Sequence, residues 1–323
     1  MSEGAAPDLA FPLLPRRRVL GLPFGPMHSA RRGLGSDVAG SRPYQPGDDV
    51  DAIDWNASAR LSAARASDEF VVRERFAEEA PRVVVVADRS PTMRLFPPDL
   101  PWLSKRDALD VTIESIAASA FAARGLFGYV DLADELHPDE NERTNEAYWR
   151  TPSSSTSYRR FEAALIRERP FHAEAGSVER ALDHLLQLRG VLPSGTFVFV
   201  LSDFLEPFGD DVWMRLLERH WDVVAVVIQD PLWEQSFPDV GGVALPIVDA
   251  ERGRPELLRI GSAEARARRV EHEARFERLS TSLPILGVDV VPLGSADPIE
   301  VLGAFLDWAE ERVGAARESV AWA

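Results

Sequence analysis

Three stretches of the chain are apolar at every position: Val83–Ala87 in "RVVVVAD", Phe197–Leu201 in "TFVFVLSD" and Val223–Ile228 in "WDVVAVVIQD". A strand with one wet face alternates apolar and polar residues. These do not alternate, so both faces must be covered, as in a parallel sheet with helices on either side. From Pro81 onward such runs alternate with helical patterns, the signature of βαβ crossovers. In Lys105–Ala123, for example, Leu109, Ile113, Ile116, Ala117 and Ala120 recur at helical spacing. The expected fold is α/β, a doubly wound, mostly parallel sheet over residues 81–323, with a hairpin insertion near 243–260 turning at Arg252-Gly253. Further helices are expected at Arg159–Glu168, Ser177–Leu188, Asp210–Arg219, Ser262–Ser282 and Pro298–Val313, and a flexible loop at "SSSTS" (Ser153–Ser157). Residues 1–80 are rich in Gly, Pro, Arg and Asp and read as an N-terminal β-rich arm or small subdomain carrying "PGDDVDAIDW".

Two of the buried runs finish in a carboxylate, Asp88 and Asp203. Ligands of open parallel sheets bind beyond the carboxyl ends of the strands, where strand order reverses. If these strands flank that point, the two acids share one crevice. Bare carboxylates about 4 Å apart repel by about 4 kcal/mol at an effective dielectric of about 20. Either one is protonated or a cation sits between them. Ser90 and Thr92 follow Asp88 at alternate positions and project to the same side. Three hard oxygens at one point suit Mg²⁺ or Mn²⁺ rather than zinc.

That D-x-S-x-T spacing resembles the metal-ion-dependent adhesion site of von Willebrand factor A domains. The resemblance implies metal ligands Asp88, Ser90, Thr92 and Asp203, with Ser177 in "AGSVERALDHL" as the second-loop hydroxyl. Thr92 replaces a serine and Ser177 a threonine; both keep the hydroxyl. Ser177 reads equally as the cap of the following helix.

The succession "GSRPYQPGDDVDAIDWNASARL", "EFVVRERFAEE", "VVVVADRSPTM", "VFVLSDFLEP" and "VVAVVIQDP" resembles domain-of-unknown-function family 58 over roughly Gly33 to Pro231. Asp51 stands where that pattern has a basic residue. The resemblance implies a non-enzymatic protein-binding module working beside a MoxR-type AAA+ ATPase in assembly or maturation of a protein substrate. Within the signature, Pro46-Gly47 fits a type II turn. Ile53 and Trp55 alternate onto one face, so Trp55 is expected to anchor the arm, with Asp54 and Arg60 as a clamp. Asp48, Asp49, Asp51 and Asp54 offer a weaker Ca²⁺ reading, without EF-hand spacing.

Composition removes other classes. The formal charge of −16 argues against phosphate-backbone binding, hence no nucleic acid. The chain has no cysteine, so no thiol nucleophile, disulfide or zinc knuckle, which fits a cytoplasmic protein. No apolar run reaches the 18 residues of a membrane span. Among 36 basic residues only Lys105 is a lysine, and it lacks the glycines of a phosphate-binding loop. The rival to a binding module is a metal-dependent phosphohydrolase using the same carboxylates, with His172 as its base. A third reading is a scaffold whose cleft is empty and whose Asp88 is neutralised internally. The helix Glu264–Leu279 mixes both charge signs and reads as a solvated face.

Overall fold

The computed structural model describes residues 9–16, 22–32, 38–44, 53–65, 70–96, 103–133, 146–188, 190–248 and 255–321. Strands β1 (Leu22–Arg32), β2 (Val38–Pro43) and β3 (Val71–Ala80) form an antiparallel sheet in the order β1-β3-β2. Helix α1 (Trp55–Arg65) packs beside β3. Only Pro81 separates β3 from β4 (Arg82–Ala87), the first strand of a six-stranded sheet.

That sheet also contains β5 (Leu126–Asp131), β6 (Tyr148–Ser153), β7 (Phe197–Ser202), β8 (Asp222–Ile228) and β11 (Asp289–Leu293), in the order β11-β8-β7-β4-β5-β6. Every pairing is parallel except β5 with β6. After β4 the chain moves outward to β5 and β6, then crosses back to β7 on the other side of β4. Strand order therefore reverses between β4 and β7.

Successive residues of a strand point to opposite faces. Val83, Val85 and Ala87 enter one core with Phe197, Phe199 and Leu201. Helices α2 (Lys105–Ala122) and α8 (Pro298–Ala321) cover it. Val84 and Val86 enter the other with Val198 and Val200, under α5 (Ser177–Gln187), α6 (Asp210–Glu218) and α7 (Ser262–Leu286). The remaining helical residues form a 3₁₀ turn Pro91–Arg94 that carries Thr92, α3 (Ser155–Ser157), a π-helical turn Tyr158–Glu162 and α4 (Ala163–Arg167). A hairpin of β9 (Val243–Val248) and β10 (Pro255–Ile260) stands apart from the sheet and packs with Phe237 and Ala265. Gly125 joins α2 to β5; a Cβ there would lie 2.5 Å from the Pro81 carbonyl oxygen, so the crossing is too tight for a side chain.

Several expectations change. Ser153–Ser157 is no loop: it ends edge strand β6 and starts α3. Strand β6 itself escaped the sequence pattern because Arg150 and Pro152 interrupt it, as an antiparallel edge allows. Helices α7 and α8 run past Ser282 and Val313. Trp55 opens α1 and is 58% exposed, stacked edge-on against Phe70, so it anchors nothing in the α/β core. Asp54 caps α1, its carboxylate accepting from the Ala57 amide at 3.0 Å. The expected turns at Pro46-Gly47 and Arg252-Gly253, and Asp48, Asp49 and Asp51, lie outside the described residues.

The first described segment belongs with the α/β body. Phe11 is 3% exposed and stacks on Phe305 with ring centroids 4.3 Å apart, edge-on to Phe199 and Trp308. Its amide donates to Ser119 Oγ, and Ser115 Oγ donates to the Leu9 carbonyl. Phe11→Ala is expected to cost about 3–5 kcal/mol of stability, read by chemical denaturation. A loss below about 1 kcal/mol would mean this strap adds no core.

Candidate functional site

The last residue of β4, Ala87, pairs with Leu201 of β7, and the Asp88 amide donates to the Leu201 carbonyl at 2.9 Å. Asp88 and Asp203 therefore leave neighbouring strands together at the point where strand order reverses. Both are buried, at 6% and 4% exposure. Ser202 ties Asp88 to the turn after Asp203: its hydroxyl donates to Asp88 Oδ2 at 2.6 Å and accepts from the Phe204 amide at 3.1 Å. Phe204 has φ +46°, in the left-handed region that strains a residue with a Cβ. Rings of Phe208 and Trp213 pack on it and hold that sharp exit.

Beyond the two acids lies a cavity of about 950 Å³. All five sequence-predicted residues, Asp88, Ser90, Thr92, Ser177 and Asp203, line it. Ser90 and Thr92 bring their hydroxyl oxygens within 2.9 Å of each other, and the Ser90 amide donates to Asp88 Oδ1 at 2.8 Å. Ser177 is the first residue of α5, one past Gly176, which turns the chain at φ +73°. It is buried against the cavity. His172, Glu174, Glu179 and Glu206 complete a mostly acidic wall, with His172 exposed.

Four adjacent parallel strands end in aspartate at this edge, and their surroundings differ. Asp131 of β5 is held by Arg169, with Nη2 to Oδ1 at 2.8 Å. Asp230 beyond β8 accepts from the amides of Leu103, Leu232 and Trp233. Asp203 Oδ2 accepts from Lys105 Nζ at 2.8 Å, and its Oδ1 from the Leu205 amide. Asp88 has neutral donors only; among the described residues it makes no ion pair. Burial and then the charge of Asp203 push its carboxyl above the usual carboxylate range, against the hydrogen bonds from Ser202 and Ser90.

Three residues of this region were not singled out from the sequence as parts of the site. Ser202 reads there as an ordinary strand residue. Arg89 lies between Asp88 and Ser90 but points the opposite way. It is 1% exposed, donating from Nε to the Tyr129 hydroxyl at 3.0 Å and from Nη2 to the Ile166 carbonyl at 2.8 Å. Its own carbonyl accepts from the Ala173 amide, so it fastens the Asp88 loop to the wall carrying His172. The period-2 rule carried that signal. Lys105, set aside for lack of a phosphate loop, is the neutralising partner of Asp203; its being the only lysine was the clue.

Among the described residues no group of three or more His, Cys, Asp or Glu gathers as a metal cage. The five sequence-predicted donors at this cavity are two carboxylates and three hydroxyls.

The chain resembles several known proteins. The family described as "Protein of unknown function DUF58" matches residues 40–279. The chain belongs to that family. Uncharacterized proteins of Mycobacterium tuberculosis and Mycobacterium bovis are each 29% identical over 245 residues, covering 71% of this chain. The chain spans 66% of the length of those relatives. Among solved structures, the conserved hypothetical protein BatB from Bacteroides thetaiotaomicron is 11% identical, covers 71% of this chain and 99% of its own, and has a TM-score of 0.34. The pilus adhesin SpaC from Lactobacillus rhamnosus GG is 12% identical, covers 72% of this chain and 30% of its own, at the same score. At that score neither likeness bears on the fold.

The Asp88 environment makes a pH-dependent prediction. A carboxyl raised in the folded state supplies stability at low pH and loses it as pH rises through the folded value. Asp88→Asn removes that loss. In metal-free buffer the variant should melt a few degrees above the wild type near about pH 8, the gap closing as pH falls toward about 4, the ordinary aspartate value. A constant gap, or a variant less stable at every pH, would count against an uncompensated Asp88.

Proposed function

We propose that this DUF58 chain is a von Willebrand A-like binding module whose cleft takes a hard divalent cation, Mg²⁺ or Mn²⁺. Through that cation it captures an acidic side chain of a protein partner. The observation that carries the reading is the convergence of Asp88, Ser90, Thr92, Ser177 and Asp203 on one cavity at the strand-order reversal. The donor set fits a hard cation: every group is an oxygen, the two hydroxyls after Asp88 lie side by side, and among the described residues Asp88 has no charged partner. Asp88, Ser90, Thr92 and Ser177 would hold the ion, with Asp203 behind them. Bound there, the cation supplies a positive centre for an incoming carboxylate. The wall of Glu174, Glu179 and Glu206 would repel a carboxylate arriving without it.

The chain's wider role, on this reading, is that of an adaptor between a protein client and a MoxR-type AAA+ ATPase. That step rests on the family resemblance. Among the described residues no helix is long and apolar enough to cross a membrane, and the adaptor reading needs none. His172 on the cavity wall keeps a second reading open, a metal-dependent phosphohydrolase with that imidazole as base.

Calorimetric titration with Mn²⁺ tests the site. The wild type should bind one equivalent, and Asp88→Ala should weaken binding at least about a hundredfold, roughly the cost of losing one carboxylate ligand. Equal binding by the two proteins ends the proposal. Turnover of a generic phosphoester by the wild type, lost in His172→Ala, would replace the binding module with the hydrolase.

A further inference from the structure

Lys105 is 0% exposed, and its Nζ lies 2.8 Å from Asp203 Oδ2 and 2.5 Å from Glu234 Oε1. Glu234 is itself fixed, its other oxygen accepting from the Asp230 amide at 2.9 Å. The lysine is the first residue of α2, where the helix macrodipole disfavours a cation. Burial also disfavours the ammonium. The carboxylates of Asp203 and Glu234, both within hydrogen-bond reach of Nζ, offset these costs, while burial raises the Glu234 carboxyl above its ordinary value. A positive charge is thus built in behind the cleft, on the one carboxylate that faces Asp88 across the strand reversal.

Resting on the metal-site reading above, we infer that Lys105 is a resident counter-cation that sets how tightly the cleft holds a divalent ion. The formal charges of Asp88, Asp203, Glu234 and Lys105 make the pocket less negative by one than the three carboxylates alone. The ammonium also occupies Asp203 Oδ2, which leaves Asp88 as the carboxylate free to meet an ion. Lys105 therefore acts through Asp203 and is a positioning residue, not a ligand. It keeps the ion weakly held, so that a partner's carboxylate adds to the grip.

Opposite charge changes around this triad should shift affinity in opposite directions. Lys105→Met removes a positive charge and should tighten Mn²⁺ binding by about tenfold or more. Glu234→Gln removes a negative charge from the same ammonium and should weaken binding by about tenfold. A residue that only braces the fold would weaken binding in both variants. The experiment is Mn²⁺ titration of the full chain for wild type and both variants, with thermal melts with and without Mn²⁺ as a second readout. Lys105→Met should also gain more melting temperature from Mn²⁺ than the wild type does.

A wild type that binds Mn²⁺ while Lys105→Met binds equally or more weakly overturns the inference and leaves the metal site standing. Tighter binding by Glu234→Gln overturns it too, and decides alone if Lys105→Met does not fold. Absence of Mn²⁺ binding in all three proteins removes the metal site and the inference together.

Discussion

A carboxylate buried at the end of an apolar strand has to be neutralised, and this sheet brings four of them to one edge. Burying an unpaired charge costs several kcal/mol, so each acid needs an answer from its surroundings. Asp131 takes Arg169, Asp230 takes three backbone amides and Asp203 takes Lys105, while among the described residues Asp88 takes neutral donors, the Ser202 hydroxyl and Ser90. The partners come from other elements, so neutralising the acids also places the loops. Arg169 additionally grips the Ala133 carbonyl and fixes the segment that leads to His172. Asp230 draws in Leu103, which sets the start of α2 and with it Lys105. The walls of the cavity are thus held largely by the electrostatics of the strand ends, and Asp88 is the acid left facing open space.

This explains which parts of the site were legible in the sequence. Local pattern sufficed for Asp88, Ser90, Thr92 and Asp203, because an uninterrupted apolar run fixes where a strand ends and which residues leave it. Ser177 was read both as the second-loop hydroxyl and as a helix cap; it is the first residue of α5, with Gly176 in the cap position, and it lines the cavity. Long-range pairing was not legible. Lys105 and Asp203 are 98 residues apart, and nothing in "WLSKRDA" says that the ammonium turns inward. Arg89 is a subtler case. Its neighbours were read as pointing one way, which by strand periodicity points Arg89 into the opposite layer; a charged residue in a loop is ordinarily assigned to solvent, and that habit hid it. Trp55 failed for the reverse reason: alternation was assumed for a stretch that turns helical at that residue.

The family match runs from residue 40 to 279, and two segments outside it, the N-terminal strap and α8, pack together. Phe11 of the N-terminal strap stacks on Phe305 of α8. Arg312 of the same helix binds Asp222 at the start of β8, Asp289 at the start of β11 and the Leu14 carbonyl. Strap, β11 and α8 therefore close one face of the sheet at the end opposite the cavity, where Asp222 and Asp289 begin their strands. The cleft edge lies wholly on matched residues. The family's shared sequence thus falls on the strands and loops that build the cavity, while the segments beyond the match supply core volume.

The choice of lysine at position 105 carries information in a chain whose other basic residues are all arginine. Arginine is the usual partner for buried carboxylates, since its planar fork donates two parallel bonds. At Asp131 the chain uses that solution, with Arg169 Nε and Nη2 both on the carboxylate. Behind Asp203 the geometry differs. Two carboxylates from different elements, Asp203 and Glu234, converge on one atom, Nζ. A compact ammonium with three donors can serve both at once, and a guanidinium of fixed width would have to displace one. It also leaves Asp203 Oδ1 to the Leu205 amide, which keeps the carboxyl group oriented at the strand end. A point charge placed against a helix dipole, fully buried, and shared between two acids has no solvation to recommend it. Its position is intelligible as a means of controlling the charge of the cleft in front of it.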